Sequence, residues 1–154
     1  MAQPTEIRIN QTDDLSRALD LAETVFTPGE EDREQYHNRK DWEERIANGG
    51  LFLTAYSEGT FAGFALCTRK PGDRFHIWIT CVDEEFRRKG IWRRLYENIL
   101  DYALFSGYRT LTLNTNEQRF PEMYAFMRAE GYDITATEEQ ADGTVKTFFS
   151  KKLR

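Results

Sequence analysis

Apolar positions change their period several times along the chain, and each change predicts an element. Thr5 to Asn10 alternate and predict a first strand with Ile7 and Ile9 on its core side. Thr12-Asp13-Asp14 offers a helix cap. Leu15, Ala18, Leu19, Ala22 and Val25/Phe26 then recur at helical spacing. Pro28-Gly29 interrupts that pattern. A second, more polar helix is predicted from about Glu31 to Ala47, with Tyr36, Trp42 and Ile46 as its apolar points, and Asn48-Gly49-Gly50 ends it. Leu51–Tyr56 and Phe61–Cys67 read as strands joined through a hairpin turn at Ser57–Thr60. After the turn at Pro71-Gly72-Asp73, Phe75–Val82 is almost continuously apolar, the pattern of a strand buried on both faces.

The period then returns to helical. Ile91, Leu95, Ile99 and Tyr102 make one stripe of a long helix from about Arg88 to Phe105, widened by Trp92, Leu100 and Ala103. Ser106-Gly107 closes it, with glycine in a common C-terminal position. Thr110–Asn114 is a fifth strand, so residues 75–114 form strand, helix, strand: a parallel crossover of the right-handed kind. Pro121 opens a short helix to about Glu130, and Gly131 stops it. Tyr132–Glu138 and Thr144–Lys152 are two last strands around Asp142-Gly143, a favoured hairpin turn. The chain has no repeat, linker or low-complexity tract, and its 154 residues predict a single domain over 1–154.

Charge narrows the function classes. The net charge of −5 argues against a general nucleic-acid binder. No apolar run reaches about 18 residues, so no membrane helix is expected. The first residues lack the basic and apolar regions of a secretory signal, which leads to the expectation of a cytoplasmic protein. Cys67 and Cys81 fall in predicted strands and read as buried thiols in a reducing compartment. No grouping of cysteine, histidine and carboxylates has metal-ligand spacing, so no metal is expected. The charge is unevenly spread. Residues 30–45 hold Glu30, Glu31, Asp32, Glu34, Asp41, Glu43 and Glu44 against Arg33, Arg39, Lys40 and Arg45. Residues 87–94 hold five cations and no acid.

That basic stretch has the chemistry of an anion site. Arg87, Arg88, Lys89, Arg93 and Arg94 surround Gly90 where a buried strand gives way to the long helix. The first amides of a helix lack intrahelical partners and point their dipoles at whatever sits there. A glycine lets a phosphate approach that backbone.

Arg87-x-x-Gly90-x-x resembles the acyl-CoA signature of the GCN5-related N-acetyltransferases (GNAT), Arg/Gln-x-x-Gly-x-Gly/Ala. Its last position here is Trp92. Met127-Arg-Ala-Glu-Gly131-Tyr132 resembles the family's Tyr-x-x-x-Gly-Phe close, with Met127 where tyrosine is usual. The predicted order β-α-α-β-β-β-α-β-α-β-β also resembles the family over essentially the whole chain. The resemblance implies an α/β (α+β) fold: a mixed, mostly antiparallel sheet of six to seven strands, helices on both faces, and two central parallel strands that splay apart. It implies acetyl-CoA as co-substrate, with the pantetheine arm along Cys81 and Val82 and the pyrophosphate over the turn Arg87, Arg88, Lys89, Gly90, Ile91, Trp92 and Arg93. The implied reaction is direct acyl transfer to an amine acceptor, a small molecule or a protein amine, within a ternary complex. A homodimer through the last strands is compatible with it.

Such a transfer needs a base for the ammonium proton, a donor for the oxyanion and an acid for the departing thiolate. The Val82 amide is the candidate oxyanion donor. Met127 cannot donate a proton, and Tyr124, three residues earlier on the same predicted helix, is the substitute candidate acid. His76 is the candidate base: six residues before Val82, it falls on the same side by strict alternation, unless a bulge intervenes. Packing roles are the alternatives for both. His37 lies in the second helix and reads as a surface residue. The acidic second helix leans toward a cationic acceptor. Because Trp92 and Met127 depart from the family pattern, the competing reading is a non-catalytic acyl-CoA-binding or interaction module.

Overall fold

The computed structural model describes residues 5–26 and 38–153. In chain order the elements are β1 (Glu6–Ile9), α1 (Leu15–Val25), α2 (Arg39–Ala47), β2 (Leu51–Ser57), β3 (Thr60–Lys70) and β4 (Arg74–Val82). They continue with α3 (Ile91–Phe105), β5 (Thr110–Asn116), α4 (Pro121–Ala129), β6 (Asp133–Glu139) and β7 (Val145–Lys152). The strands form one sheet in the order β1-β2-β3-β4-β5-β7-β6. Every neighbouring pair is antiparallel except β4 and β5, which run parallel and are joined by α3 as the crossover.

The sheet separates two cores. On one face Leu95, Tyr96 and Ile99 of α3 and Met127 of α4 pack against Phe75, Ile77, Leu111 and Phe149. On the other, Leu15, Ala18 and Ala22 of α1 and Trp42 of α2 pack against Phe52, Phe64, Ile79 and Cys81. α2 is mostly polar, and its hold on the sheet rests on Trp42, which is fully buried 5.4 Å from the Phe64 ring. Burial of one large aromatic contributes on the order of a few kcal/mol. The start of α1 is fixed by a buried carboxylate: Asp14 accepts from the Thr54 hydroxyl at 3.0 Å and from the Tyr56 phenol on β2.

Three details differ from the pattern-based reading, each for a local reason. Ile9 is 54% exposed rather than core-facing, because β1 is a short edge strand and only Ile7 reaches the α3-side core. α2 begins at Arg39, since Asn38 is extended and its side chain caps the helix by accepting from the Asp41 amide at 3.1 Å. Residues 31–37 of that reading, with Tyr36 and His37, and the Pro28-Gly29 break lie outside the described residues. α3 begins at Ile91 rather than Arg88, because Arg88 (φ 62°) and Gly90 (φ 77°) both take left-handed conformations that no helix contains. β6 is the edge strand of the sheet and is exposed along its whole length, Ile134 included.

Candidate active site

β4 and β5 start as a closed pair and then part. Arg74–Ile77 pair with Thr110–Leu113, and the ladder stops there although β4 runs to Val82 and β5 to Asn116. A β-bulge lies at the parting. Cys67 of β3 opposes Ile77 and Leu66 opposes Ile79, so Trp78 is an extra residue. The bulge reverses the alternation of β4. Ile77 packs on the α3 side, yet Ile79 and Cys81 pack on the α1 side. Between the diverging strands lies a cavity of about 620 Å³.

The cavity wall on the β4 side is main chain. The Asp83 amide donates to the Ala62 carbonyl at 2.8 Å. By the alternation of an antiparallel ladder, the amides of Val82 and Thr80 therefore point away from β3, into the gap. The Val82 carbonyl accepts from Arg87 Nε at 3.2 Å. Gly63 lets β3 come close enough to hold this stretch: a Cβ there would stand 2.7 Å from the Cys81 carbonyl oxygen.

The mouth of α3 opens onto the same cavity. Among the described residues no side chain caps the helix, and the first intrahelical bond joins the Arg94 amide to the Gly90 carbonyl at 3.1 Å. The amides of Ile91, Trp92 and Arg93 precede it and have no intrahelical acceptor. A Cβ on Gly90 would meet nothing within 4 Å, so the space above these amides is open. Arg87, Arg88 and Arg93 stand around it. The side chain of Arg88 reaches toward Glu122 across the mouth at 3.9 Å, while Arg93 donates to Glu130 at 2.9 Å. The Trp92 indole does not plug the opening. It lies against Tyr96 and Phe126, with ring centroids 5.8 and 5.6 Å away, and its Nε1 is buried without an acceptor among the described residues. An unblocked helix start ringed by cations, continuous with unpaired strand amides, fits a diphosphate carrying a long amide-bearing arm. Of the residues expected at the cofactor, Cys81, Val82, Arg87, Arg88, Gly90, Ile91, Trp92 and Arg93 line the cavity. Lys89 does not; its ammonium stands over the Phe86 ring at 5.4 Å.

The candidate acid and base are not brought to the cavity. Because of the bulge, His76 and Val82 point to opposite faces of the sheet. His76 is 8% exposed, and its Nδ1 lies 2.7 Å from the Thr112 hydroxyl. Burial, with Lys70, Lys146, Arg45 and Arg74 adding to it, pushes its pKa down to about 3. Tyr124 is half-buried against Phe149, ring centroids 5.4 Å apart. From α4 it is Pro121, Glu122, Met123 and Phe126 that line the gap, and Met127 is fully buried in the core. Both cysteines are free and buried, with their thiol pKa values driven upward by desolvation.

The far end of the cavity holds residues the sequence did not single out. Trp78 lies on the α1 side, with the Arg45 guanidinium 3.6 Å over its ring. Asn114, Asn116 and Lys146 share that side, by alternation from Leu113 and Phe149 in the opposite core. The Asn116 side chain accepts from the amides of Gln118 and Arg119 at 3.1 and 3.2 Å, which turns the chain so that Arg119 and Phe120 reach the cavity. Phe120 meets Phe26 of the α1 end at 5.8 Å. Only the bulge and the strand pairing gather these residues, so no local motif marks them.

The profile of the acetyltransferase (GNAT) family matches residues 15–132. This chain belongs to the GNAT family. As a GNAT chain it also superposes on solved members at low identity. Ard1 from Thermoplasma volcanium aligns at a TM-score of 0.81 and 19% identity, over 97% of this chain and 98% of that one. The ribosomal-protein-S18-alanine N-acetyltransferase of Escherichia coli aligns at 0.79 and 19% over 97% and 94%. PaiA N-acetyltransferase from Thermoplasma acidophilum, in complex with coenzyme A, aligns at 0.76 and 17% over 97% and 99%. No protein of curated function matches the sequence. The seven-stranded mixed sheet with helices on both sides is the GNAT architecture the sequence resemblance implied. An N-acetyltransferase using an acyl-CoA donor is accordingly the general activity of this GNAT domain. Among the described residues no helix is long and apolar enough to cross a membrane, and no cluster of three metal-ligating side chains occurs.

Proposed function

We propose that this GNAT domain transfers an acetyl group from acetyl-CoA directly to an amine within a ternary complex. The observation that carries the reading is the continuous path from the open start of α3 to the unpaired amides of Thr80 and Val82. The α3 amides with Arg87 and Arg88 would hold the diphosphate, and the β4 edge would hold the amide-bearing arm. The similar PaiA structure, which contains coenzyme A, supports the same use of this fold. The Val82 amide would receive the oxyanion as the amine nitrogen attacks the thioester carbonyl. The C–N bond forms, the C–S bond breaks, and the thiolate departs with the electron pair. Direct transfer is supported by the cysteines: both are buried and strongly disposed to stay protonated, so neither suits an acyl-enzyme.

The amine must lose its proton before it attacks. Among the described lining residues the only carboxylate is Glu122, 77% exposed and directed at Arg88, and none is a histidine. We therefore assign proton removal to solvent entering the cavity, and structural roles to His76 and Tyr124. The test is a thiol-release assay with acetyl-CoA and an amine panel across pH 6–10. The expected kcat/KM rises with pH and levels off at the acceptor's own pKa, and intact mass shows no acetylated protein. An inflection near pH 6–7 that His76→Gln abolishes would restore a side-chain base. Coenzyme binding without thiol release on any amine would favour the non-catalytic module that Met127 and Trp92 suggest.

A further inference from the structure

We infer that the acceptor is a small amine carried on an aromatic, apolar body, which seats against Trp78 and the Phe26–Phe120 pair. This rests on the transferase reading and names the substrate class of that site.

Phe120 stands where α4 has no use for it. It is the N-cap of that helix, a position that favours Ser, Thr, Asp or Asn because their side chains accept a helix amide. A phenyl ring accepts nothing, and among the described residues no side chain caps α4. The main chain nevertheless fixes Phe120 firmly. Its amide donates to the Asn116 carbonyl at 2.7 Å, and its carbonyl accepts from the Tyr124 amide at 3.2 Å. The Asn116 side chain holds the two preceding amides, those of Gln118 and Arg119. Among the described residues Phe120 packs into neither core of the sheet. Its ring meets Phe26 at 5.8 Å, and both rings are half-buried and line the cavity. The turn thus presents an aromatic ring to the gap and forgoes a helix cap.

Trp78 supplies a second aromatic surface. It is the residue the bulge inserts into β4. The Arg45 guanidinium lies 3.6 Å over its ring, and Trp42 meets it edge-on at 6.1 Å. The ring is therefore held in place while it stays half-buried and lines the cavity. Aromatic surface kept partly in water gains when an apolar body covers it, and rings add a preference for one another. The polar part of this wall selects no sign of charge: Arg119 bonds Asp142, and Glu138 stands opposite Lys146 in the ladder of β6 and β7. The acceptor nitrogen must reach the thioester beside the Val82 amide, which leaves its apolar body to the aromatic end. Pockets of roughly 300–1,000 Å³ hold one drug-sized ligand. Here about 620 Å³ is shared between the thiol arm and the acceptor, so the acceptor is small.

The experiment compares singly charged amines with acetyl-CoA: 2-phenylethylamine and tryptamine against ethanolamine. Each carries one ammonium, so the charge of the wall drops out of the comparison. Spermidine and a short lysine peptide are run beside them. Thiol release gives kcat/KM for the parent and for Phe120→Ala, with melting curves checking that the variant folds. Covering the rings predicts a preference of roughly ten- to hundredfold for at least one aromatic amine over ethanolamine. Phe120→Ala is expected to cut that ratio roughly fivefold or more, while the coenzyme-induced rise in melting temperature persists. Should Phe120→Ala not fold, Phe120→Leu, which keeps bulk and removes the ring, is expected to narrow the same ratio. Equal or better turnover of ethanolamine, spermidine or the peptide by the parent overturns the aromatic acceptor and leaves the transferase standing. So does an unchanged ratio in the variants. Coenzyme binding with no release on any amine removes both readings together.

Discussion

The imidazole of His76 is stripped of water by burial, and Lys70, Lys146, Arg45 and Arg74 disfavour a further positive charge beside it. In the unfolded chain the same group titrates near 6.5. Between about pH 6.5 and about 3 the unfolded chain binds a proton that the folded chain refuses. Stability attributable to this residue is therefore fully present above pH 6.5 and drains away on acidification through that window. His76→Gln, which keeps a polar group for Thr112, should lessen the loss between pH 7 and pH 4.5 by roughly 2 kcal/mol in urea unfolding. Its turnover at neutral pH should stay within about twofold of the parent, as expected for a residue outside the reacting groups. A parallel loss of stability in parent and variant would contradict the account. The presence of a histidine on this strand is plain in the sequence. Its orientation is not, because one extra residue at Trp78 exchanges inside for outside and leaves no compositional mark.

At the scale of elements, the start of α3 tests the anion site most directly. Gly90 combines a φ of 77° with open space where a Cβ would stand. Gly90→Ala should cost about 1–2 kcal/mol of stability from backbone strain alone. Coenzyme A affinity, measured by calorimetry, should fall further than that strain explains, since the methyl group intrudes where the diphosphate approaches. Unchanged affinity would mean that the carrier lies elsewhere. The elements themselves were largely legible. Periodicity located each strand, and the parallel crossover followed from strand-helix-strand order. The ends were less so. Asn38 sets the start of α2 through one side-chain hydrogen bond, and Arg88 delays α3 by taking a left-handed turn that ordinary propensities disfavour. The cofactor side of the cavity was legible because it sits on one contiguous stretch, residues 81–93. The acceptor side was not, because Trp78, Asn114, Arg119 and Lys146 converge only through the sheet order.

For the molecule as a whole, the balance of charge opposes an anionic ligand while the local field favours it. The net charge is −5, yet Arg87, Arg88 and Arg93 ring the cavity mouth. The Arg88 side chain is 89% exposed, so its contribution is screened readily. The Debye length shrinks from about 10 Å at 0.1 M to about 3 Å at 1 M ionic strength. Coenzyme A affinity should therefore weaken several-fold between low and high salt, reach a plateau, and fall no further once only the amides of α3 and β4 are contributing. Salt-independent affinity from the outset would assign the binding to the backbone alone.

The gap behind Trp78 has one more consequence. If the donor is gripped through peptide groups, its recognition is indifferent to which side chains β4 carries there. Substitutions along the opposite wall can then alter which amine enters without disturbing the carrier. Evolution, or an engineer, is left with a tool whose handle stays fixed while its jaws are recut.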